Sequence, residues 1–177
     1  MALLLKNRTR SASSNSAIVE QWIKSTQPAV LLPQNTTGQL FRVFGGKVLV
    51  HALIGTVTTI IQSSDPVMKF SSKALDATAT AVGTAVDIAS TVTIASLEVG
   101  GTLFIEGDGT AFVVANAGCT LMGTNTGKWV APQGEIYATT TASKTGAIRW
   151  DIWYQPLDEG AYVVPAALTA AILTAAI

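Results

Sequence analysis

Hydrophobic and polar residues alternate along most of the chain from residue 38 onward. Short runs with a period of two are typical of β-strands that bury one face. They recur every 8 to 15 residues or so and are separated by Gly, Ser, Asn and Asp, which favour turns. This spacing predicts an all-β fold, either an antiparallel sandwich or a barrel, and we favour the β-sandwich. A solenoid or propeller is not expected, because no segment of 20 to 50 residues repeats along the chain. The predicted strands are residues 40–44, 47–62, 67–75, 91–95, 102–106, 111–115, 134–142 and 147–156.

The connections between strands suggest how some of them pair. Residues 106–109 read Glu-Gly-Asp-Gly between two apolar runs, which is a strong signal for a β-hairpin. The strands over 134–142 and 147–156 are expected to pair with each other through a turn at 143–146. The strand over 47–62 is apolar on both sides, so we expect it to be covered on both. Its two predicted faces are Val48, Val50, Ala52, Ile54, Thr56, Thr58 and Ile60, and Leu49, His51, Leu53, Val57 and Ile61.

The two ends of the chain lack this alternation. Residues 1–36 begin with a polar, low-complexity stretch and then carry two prolines, so we predict an extended N-terminal arm with one short helix over 17–24. A sandwich domain is expected over 37–164. Residues 165–177 form an apolar C-terminal tail without charge, either a short helix or an extended strand, which we expect to pack against the domain or a partner.

Aromatic residues concentrate in the last predicted strand. Alternation places Ile148, Trp150, Ile152 and Tyr154 on one face, which is expected to fill the core, and Trp153 on the other face. A single outward tryptophan is more often an anchor in a protein interface than a platform for a ligand. An exposed aromatic ring on a β-sandwich can also stack on a sugar, so a carbohydrate-binding module stays an alternative.

Charged residues are scarce. They make up 12% of the 177 residues, and the formal net charge is zero. An average soluble domain has roughly 25% charged residues, and the interfaces of permanent subunits are poor in them. The composition therefore favours a chain whose surface is partly covered by other subunits. It does not favour nucleic-acid binding, because no basic excess is present, and no apolar run reaches the about 20 residues that span a bilayer.

The sequence offers little for catalysis or metal binding. His51 is the only histidine and Cys119 the only cysteine, which excludes an intrachain disulfide and any His-rich or CxxC metal site. No nucleophile motif accompanies His51, so we expect it to be a core or interface residue. The acidic pairs Glu106/Asp108 and Asp158/Glu159 flank predicted turns, where an aspartate has a structural use. We expect no enzyme activity, no catalytic residue and no cofactor.

The stretch Trp150-Asp-Ile-Trp-Tyr-Gln-Pro-Leu-Asp-Glu-Gly-Ala161 follows a neutral β-domain rich in Thr, Ala and Gly. In this it resembles the capsid decoration (cement) proteins of tailed bacteriophages, with a loose likeness over residues 38–165. The resemblance implies a jelly-roll fold, a homotrimer at a symmetry axis of the capsid, and a terminal arm that staples neighbouring capsid subunits. It also implies a place on the exterior of the virion, for a protein made in the host cytoplasm.

We therefore expect a structural virion protein that decorates and stabilises a capsid. Its expected partners are copies of itself and the major capsid protein, with no direct contact to nucleic acid or membrane. The alternatives are a single-jelly-roll protein that builds a shell by itself, a tail or fibre component, and a carbohydrate-binding module. The candidate partner-binding residues are Leu3, Leu4, Leu5, Trp22, Ile23, Trp153, Ile172, Leu173 and Ile177.

Overall fold

The computed structural model describes residues 22–62, 66–116 and 128–168. This part of the chain forms eleven strands, and residues 166–168 are helical. The strands are β1 (Ile23–Leu31), β2 (Thr37–Phe44), β3 (Val48–Thr59), β4 (Val67–Ala74), β5 (Val86–Thr93), β6 (Thr102–Ile105), β7 (Val113–Ala115), β8 (Trp129–Ala131), β9 (Gly134–Thr140), β10 (Ala147–Pro156) and β11 (Tyr162–Pro165). The all-β fold expected from the alternation is confirmed.

Two antiparallel sheets pack face to face with the strand order of a jelly roll. Sheet I has the order β1-β10-β3-β6-β7, with β8 beside the start of β3, and sheet II has the order β11-β2-β9-β4-β5. The pairs β1–β10, β2–β9, β3–β6 and β4–β5 are nested within one another. The chain therefore resembles one long hairpin rolled up so that successive pairs fall into alternate sheets, which is the double-sheet jelly-roll architecture.

The two predicted connections have different outcomes. β6 and β7 pair antiparallel, so the hairpin at residues 106–109 is confirmed. The predicted pairing of the strands over 134–142 and 147–156 is wrong. β9 lies in sheet II between β2 and β4, whereas β10 lies in sheet I between β1 and β3. In the nested arrangement these two strands partner β2 and β1, so the link between them must cross from one sheet to the other.

The first strand begins earlier in the chain than the sequence suggested. Ile23–Leu31 forms β1, the edge strand of sheet I, with Ile23 opposite Tyr154 and Leu31 opposite Ala147 of β10. These residues belong to the sandwich and not to an arm. Pro28 falls within an irregularity of the pairing, which an edge strand tolerates because proline has no N–H to donate. Residues 17–21 of the predicted helix over 17–24 lie outside the described residues, and the prediction is wrong for Ile23 and Lys24, which are in β1.

The long strand β3 exchanges its faces partway along. Val50 is buried in the core, and so is Leu53, which an uninterrupted alternation would place on the opposite face. The register against β10 shifts between Val50 and Ala52, so His51 is the extra residue of a β-bulge. The predicted faces are therefore wrong beyond His51. On the outer face Ile54 is half-buried, so β3 is covered fully on one side and partly on the other.

Trp150 lies at the centre of the core between the sheets. It is 1% exposed and meets Phe70 edge-on, with ring centroids 5.1 Å apart. Gly55 lies opposite Trp150 in the register of β3 and β10, and a Cβ at this position would lie 2.6 Å from the indole ring. A glycine there leaves the space that the indole occupies. The predicted inward face of β10 is confirmed, because its other members are also buried: Ile148, Ile152 and Tyr154.

Candidate functional site

Three of the candidate partner-binding residues lie at one edge of sheet I. Trp22 directly precedes β1, Ile23 is the first residue of β1, and Trp153 is on the neighbouring strand β10. Trp22 is 51% exposed and Ile23 is 41% exposed, whereas Trp153 is half-buried. The six other candidates lie outside the described residues: Leu3, Leu4, Leu5, Ile172, Leu173 and Ile177.

The outer face of β1 and β10 carries a charged network around Asp151, whose side chain is only 5% exposed. The hydroxyl of Thr26 donates a hydrogen bond to Oδ1 of Asp151 at 2.6 Å, and Nζ of Lys24 lies 3.0 Å from the same oxygen. Nε of Arg149 lies 3.4 Å from Oδ2. Side chains two residues apart on a strand share a face, so adjacent strands bring all four groups together.

Trp153 faces outward, as the alternation predicts, but its own chain shields part of it. Nζ of Lys24 lies 4.9 Å from the centroid of the Trp153 ring, and the two residues are opposite each other in register. Such a cation–π contact contributes about 0.5–1 kcal/mol at an exposed site. Close by, the ring of Trp22 stacks on His51 with centroids 4.4 Å apart. The single histidine therefore packs against an aromatic ring at the sheet edge.

The charged network lowers the pKa of Asp151. Burial by itself would raise this pKa, but the hydrogen bond from Thr26 and the charges of Lys24 and Arg149 outweigh burial. A carboxyl group whose pKa is lower in the folded state stabilises that state above the unfolded pKa, near pH 4. This contribution is lost as the pH falls through the folded pKa. The network therefore favours folding at neutral pH and ceases to do so in acid.

Replacing Asp151 by alanine is expected to lower the free energy of unfolding at pH 7 by about 1–3 kcal/mol, because a buried charged acceptor of the Thr26 hydroxyl is lost. The substitution should also flatten the decline in stability below pH 4. Arg149→Ala is the matched control, since Arg149 is 48% exposed and its removal should cost at most about 1 kcal/mol. Urea unfolding between pH 2 and 7 measures both. Equal losses in the two variants would contradict a dominant role for buried Asp151.

Eight of the eleven exposed large hydrophobic side chains in the described residues lie along two opposite edges of the sandwich, whereas Ile60, Val99 and Leu157 do not. We use the name first apolar patch for the exposed apolar side chains spread along the edge formed by β1 and β11, with Trp22 and Ile23 at one end of β1 and Leu31 at the other. Its members are Trp22, Ile23, Leu31, Tyr162 and Leu168, of which Leu31 is 75% exposed. The far edge, at β5 and β8, carries the second apolar patch, whose members are Val82, Val86 and Val130, each more than half exposed. These three side chains line an open cavity of about 320 Å³ together with Trp129 and Pro132.

The two aspartates at the turns, Asp108 and Asp158, have the structural role that the sequence suggested. Oδ1 of Asp108 accepts hydrogen bonds from the backbone N–H and the hydroxyl of Thr110, at 2.9 and 2.6 Å. Oδ2 of Asp158 accepts one from the backbone N–H of Lys47 at 2.8 Å. Within residues 22–62, 66–116 and 128–168, no cluster of His, Cys, Asp and Glu could hold a metal ion. The helical residues in these ranges form no segment long and apolar enough to cross a membrane.

Two features of these surfaces were missed from the sequence. The pairing of Lys24 and Thr26 with Asp151 was hidden because residues 22–24 were assigned to a helix, although the alternation of Arg149, Asp151 and Trp153 does mark the outward face. The second apolar patch could have been recognised from the sequence. Residues 77–86 contain Val82 and Val86 and no charged side chain, although they lie between turns at the surface.

Comparisons with known proteins find no family model, no curated protein and no solved structure that matches this chain. A proposal about function therefore rests on the surfaces described above.

Proposed function

We propose that this protein is a structural, non-enzymatic virion protein that forms a homotrimer and decorates and stabilises a phage capsid by binding the major capsid protein. The observation that carries the assembly is the presence of two different apolar patches on opposite edges of the jelly roll. The likeness of residues 150–161 to capsid decoration proteins supports the capsid as the binding surface.

The position of the two patches favours a ring. A two-fold dimer buries the same patch on both subunits, whereas a head-to-tail contact joins two different patches and closes into a ring when the rotation allows. The first apolar patch lies at β1 and β11, and the second lies at β5 and β8, across the full width of the sheets. Each subunit thus offers one patch to each of two neighbours. The low charge of the chain suits such contacts, because permanent interfaces exclude charged residues from their centres.

The ends of the described chain also lie at one edge. Trp22 precedes β1, and the backbone N–H of Ala167, just after β11, donates to Oε1 of Gln27 in β1 at 3.1 Å. The described part of the chain therefore begins and ends at the edge that carries the first apolar patch. Apolar segments that leave together can bind one neighbouring surface, and several tethered contacts strengthen attachment to a shell more than one contact does.

The assembly is tested by the mass of the purified protein in solution. We expect three times the chain mass of 18.4 kDa. Leu31→Asp in the first apolar patch and Val86→Asp in the second should each give a monomer, because each removes one side of every contact. A mixture of the two variants should give a dimer through the one pair of patches that stays intact. Val99→Asp is the control, since Val99 is 67% exposed and belongs to neither patch.

A monomeric wild-type protein would contradict the proposal, and so would a mixture that stays monomeric. Binding to the capsid needs a second experiment, in which wild-type protein and a truncation lacking residues 1–21 are sedimented with undecorated phage shells. The truncation must end before β1, since removal of Ile23–Leu31 would take a strand from sheet I. We expect the truncated protein to remain trimeric and to lose most of its shell binding. Wild-type protein that does not bind shells refutes the capsid role.

A further inference from the structure

The outer face of sheet II contains a polar groove that the assembly does not use. It is an open cavity of about 320 Å³, lined by Thr37, Gln39, Lys73, Glu135 and Tyr137. These residues come from the three neighbouring strands β2, β9 and β4, in which Gln39 is opposite Tyr137 and Lys73 is opposite Glu135. The volume lies at the lower end of the range of small-molecule sites. Three paired strands fix the backbone positions of the lining residues.

One polar group in the groove lacks a partner within the described part of the chain. The side-chain amide nitrogen of Gln39 is buried and makes no hydrogen bond there. Leaving a buried donor unsatisfied costs about 1–3 kcal/mol. A ligand or a water molecule that accepts from this nitrogen would recover that free energy. The nitrogen has almost no accessible surface, so a ligand in the groove reaches it only when the Gln39 side chain rotates toward the opening.

The chemistry of the lining selects a class of ligand. Lys73 and Gln39 donate hydrogen bonds, Glu135 accepts them, and the hydroxyls of Thr37 and Tyr137 do both. The charges of Lys73 and Glu135 offset each other, so the groove has no net preference for an anion or a cation. The ring of Tyr137 adds an apolar surface beside its polar tip. A ligand ring with partly apolar faces and adjacent hydroxyl groups, which both donate and accept hydrogen bonds, is complementary to these lining groups.

We propose that the groove on sheet II binds a neutral carbohydrate. This site is separate from Trp153, which lies on sheet I. Tyr137 provides the stacking surface, while Glu135 and Gln39 bind hydroxyl groups of the sugar. The proposal does not depend on assembly, because none of these residues belongs to either apolar patch.

The test uses the full-length protein on an array of neutral, sialylated and sulfated glycans, followed by calorimetric titration of the best neutral glycan. Tyr137→Ala and Glu135→Ala should each weaken binding about tenfold or more, as expected when a stacking or hydrogen-bonding group is lost. Lys69→Ala is the matched control, because Lys69 also lies on sheet II and is partly exposed but pairs with Asp87 outside the groove and belongs to neither apolar patch. It should change the affinity by less than about twofold.

Three results would overturn the proposal: no binding to any neutral glycan, binding confined to charged glycans, or binding that is lost on Trp153→Ala and kept in Tyr137→Ala. The solution mass of each variant is measured in parallel. A Tyr137→Ala variant that keeps the wild-type mass and loses the sugar supports the groove whether or not the capsid role holds. Circular dichroism of the same samples shows whether each variant is folded.

Discussion

Trp150→Ala should lower the free energy of unfolding by about 3–5 kcal/mol, the usual cost of removing a buried tryptophan from a core. Trp150 is 1% exposed, packs against Phe70 and fills the space that Gly55 leaves. Trp153→Ala, three residues along the same strand, should cost only about 1 kcal/mol, since it loses a half-buried ring and one cation–π contact with Lys24. The pair compares the same substitution on the two faces of β10.

Urea unfolding at a single protein concentration measures this difference, because the stability of an oligomer depends on concentration. The Leu31→Asp variant, expected to be monomeric, provides a second background in which to repeat the comparison. Equal losses for the two tryptophan variants would contradict the assignment of the inward and outward faces. A large loss for Trp153 that is seen in the wild-type background and not in the Leu31→Asp background would instead place that residue in a subunit interface.

The second large effect is expected at Gly107, in the turn of the β6–β7 hairpin. Its φ is +78°, and a Cβ there would clash with Cδ1 of Trp129 on β8. Gly107→Ala should therefore lower the free energy of unfolding by about 3 kcal/mol in total. About 1–2 kcal/mol comes from the left-handed backbone, and the rest from moving the indole.

Gly160→Ala is an almost ideal control for Gly107→Ala. Gly160 has the same φ of +78°, but no heavy atom lies within 4 Å of the position that its Cβ would take. It should lose only the backbone contribution, about 1–2 kcal/mol. The difference between the two variants isolates the contact with Trp129, and the fluorescence of that tryptophan should change in Gly107→Ala alone. If the two substitutions lower the free energy of unfolding equally, Trp129 is not packed against the turn.

A strand could be predicted from the sequence when one of its faces is buried and the other is exposed. β10 was predicted closely because it lies in the middle of sheet I, where one face is fully apolar and the other carries Arg149 and Asp151. β1 was missed because an edge strand has one neighbour and its side chains are mostly exposed, so the alternation is weak. The bulge at His51 could not be detected, since apolar residues occupy both faces there and an extra residue leaves no mark in the pattern.

The candidate sites were predictable only in part, for a related reason. The outward direction of Trp153 follows from local alternation, but the partner that shields it does not. Thr26 and Asp151 are 125 residues apart in sequence, and only the nested pairing brings them together. The polar groove on sheet II likewise combines strands β2, β4 and β9, whose order cannot be read from any single segment. Local patterns predict strands, whereas the neighbours of a strand depend on topology.

The nested pairing also determines when this protein can fold as it is synthesised. β10 occupies the place between β1 and β3, so both of these strands wait for Ala147–Pro156 before sheet I can close. Pairings between distant segments form slowly, and unpaired apolar strands are prone to aggregate in the meantime. One edge of β3 stays unpaired until β10 has been synthesised, and few charges keep copies of the chain apart. We expect the nascent chain to be a stronger chaperone client than its size suggests, until its last quarter has left the ribosome.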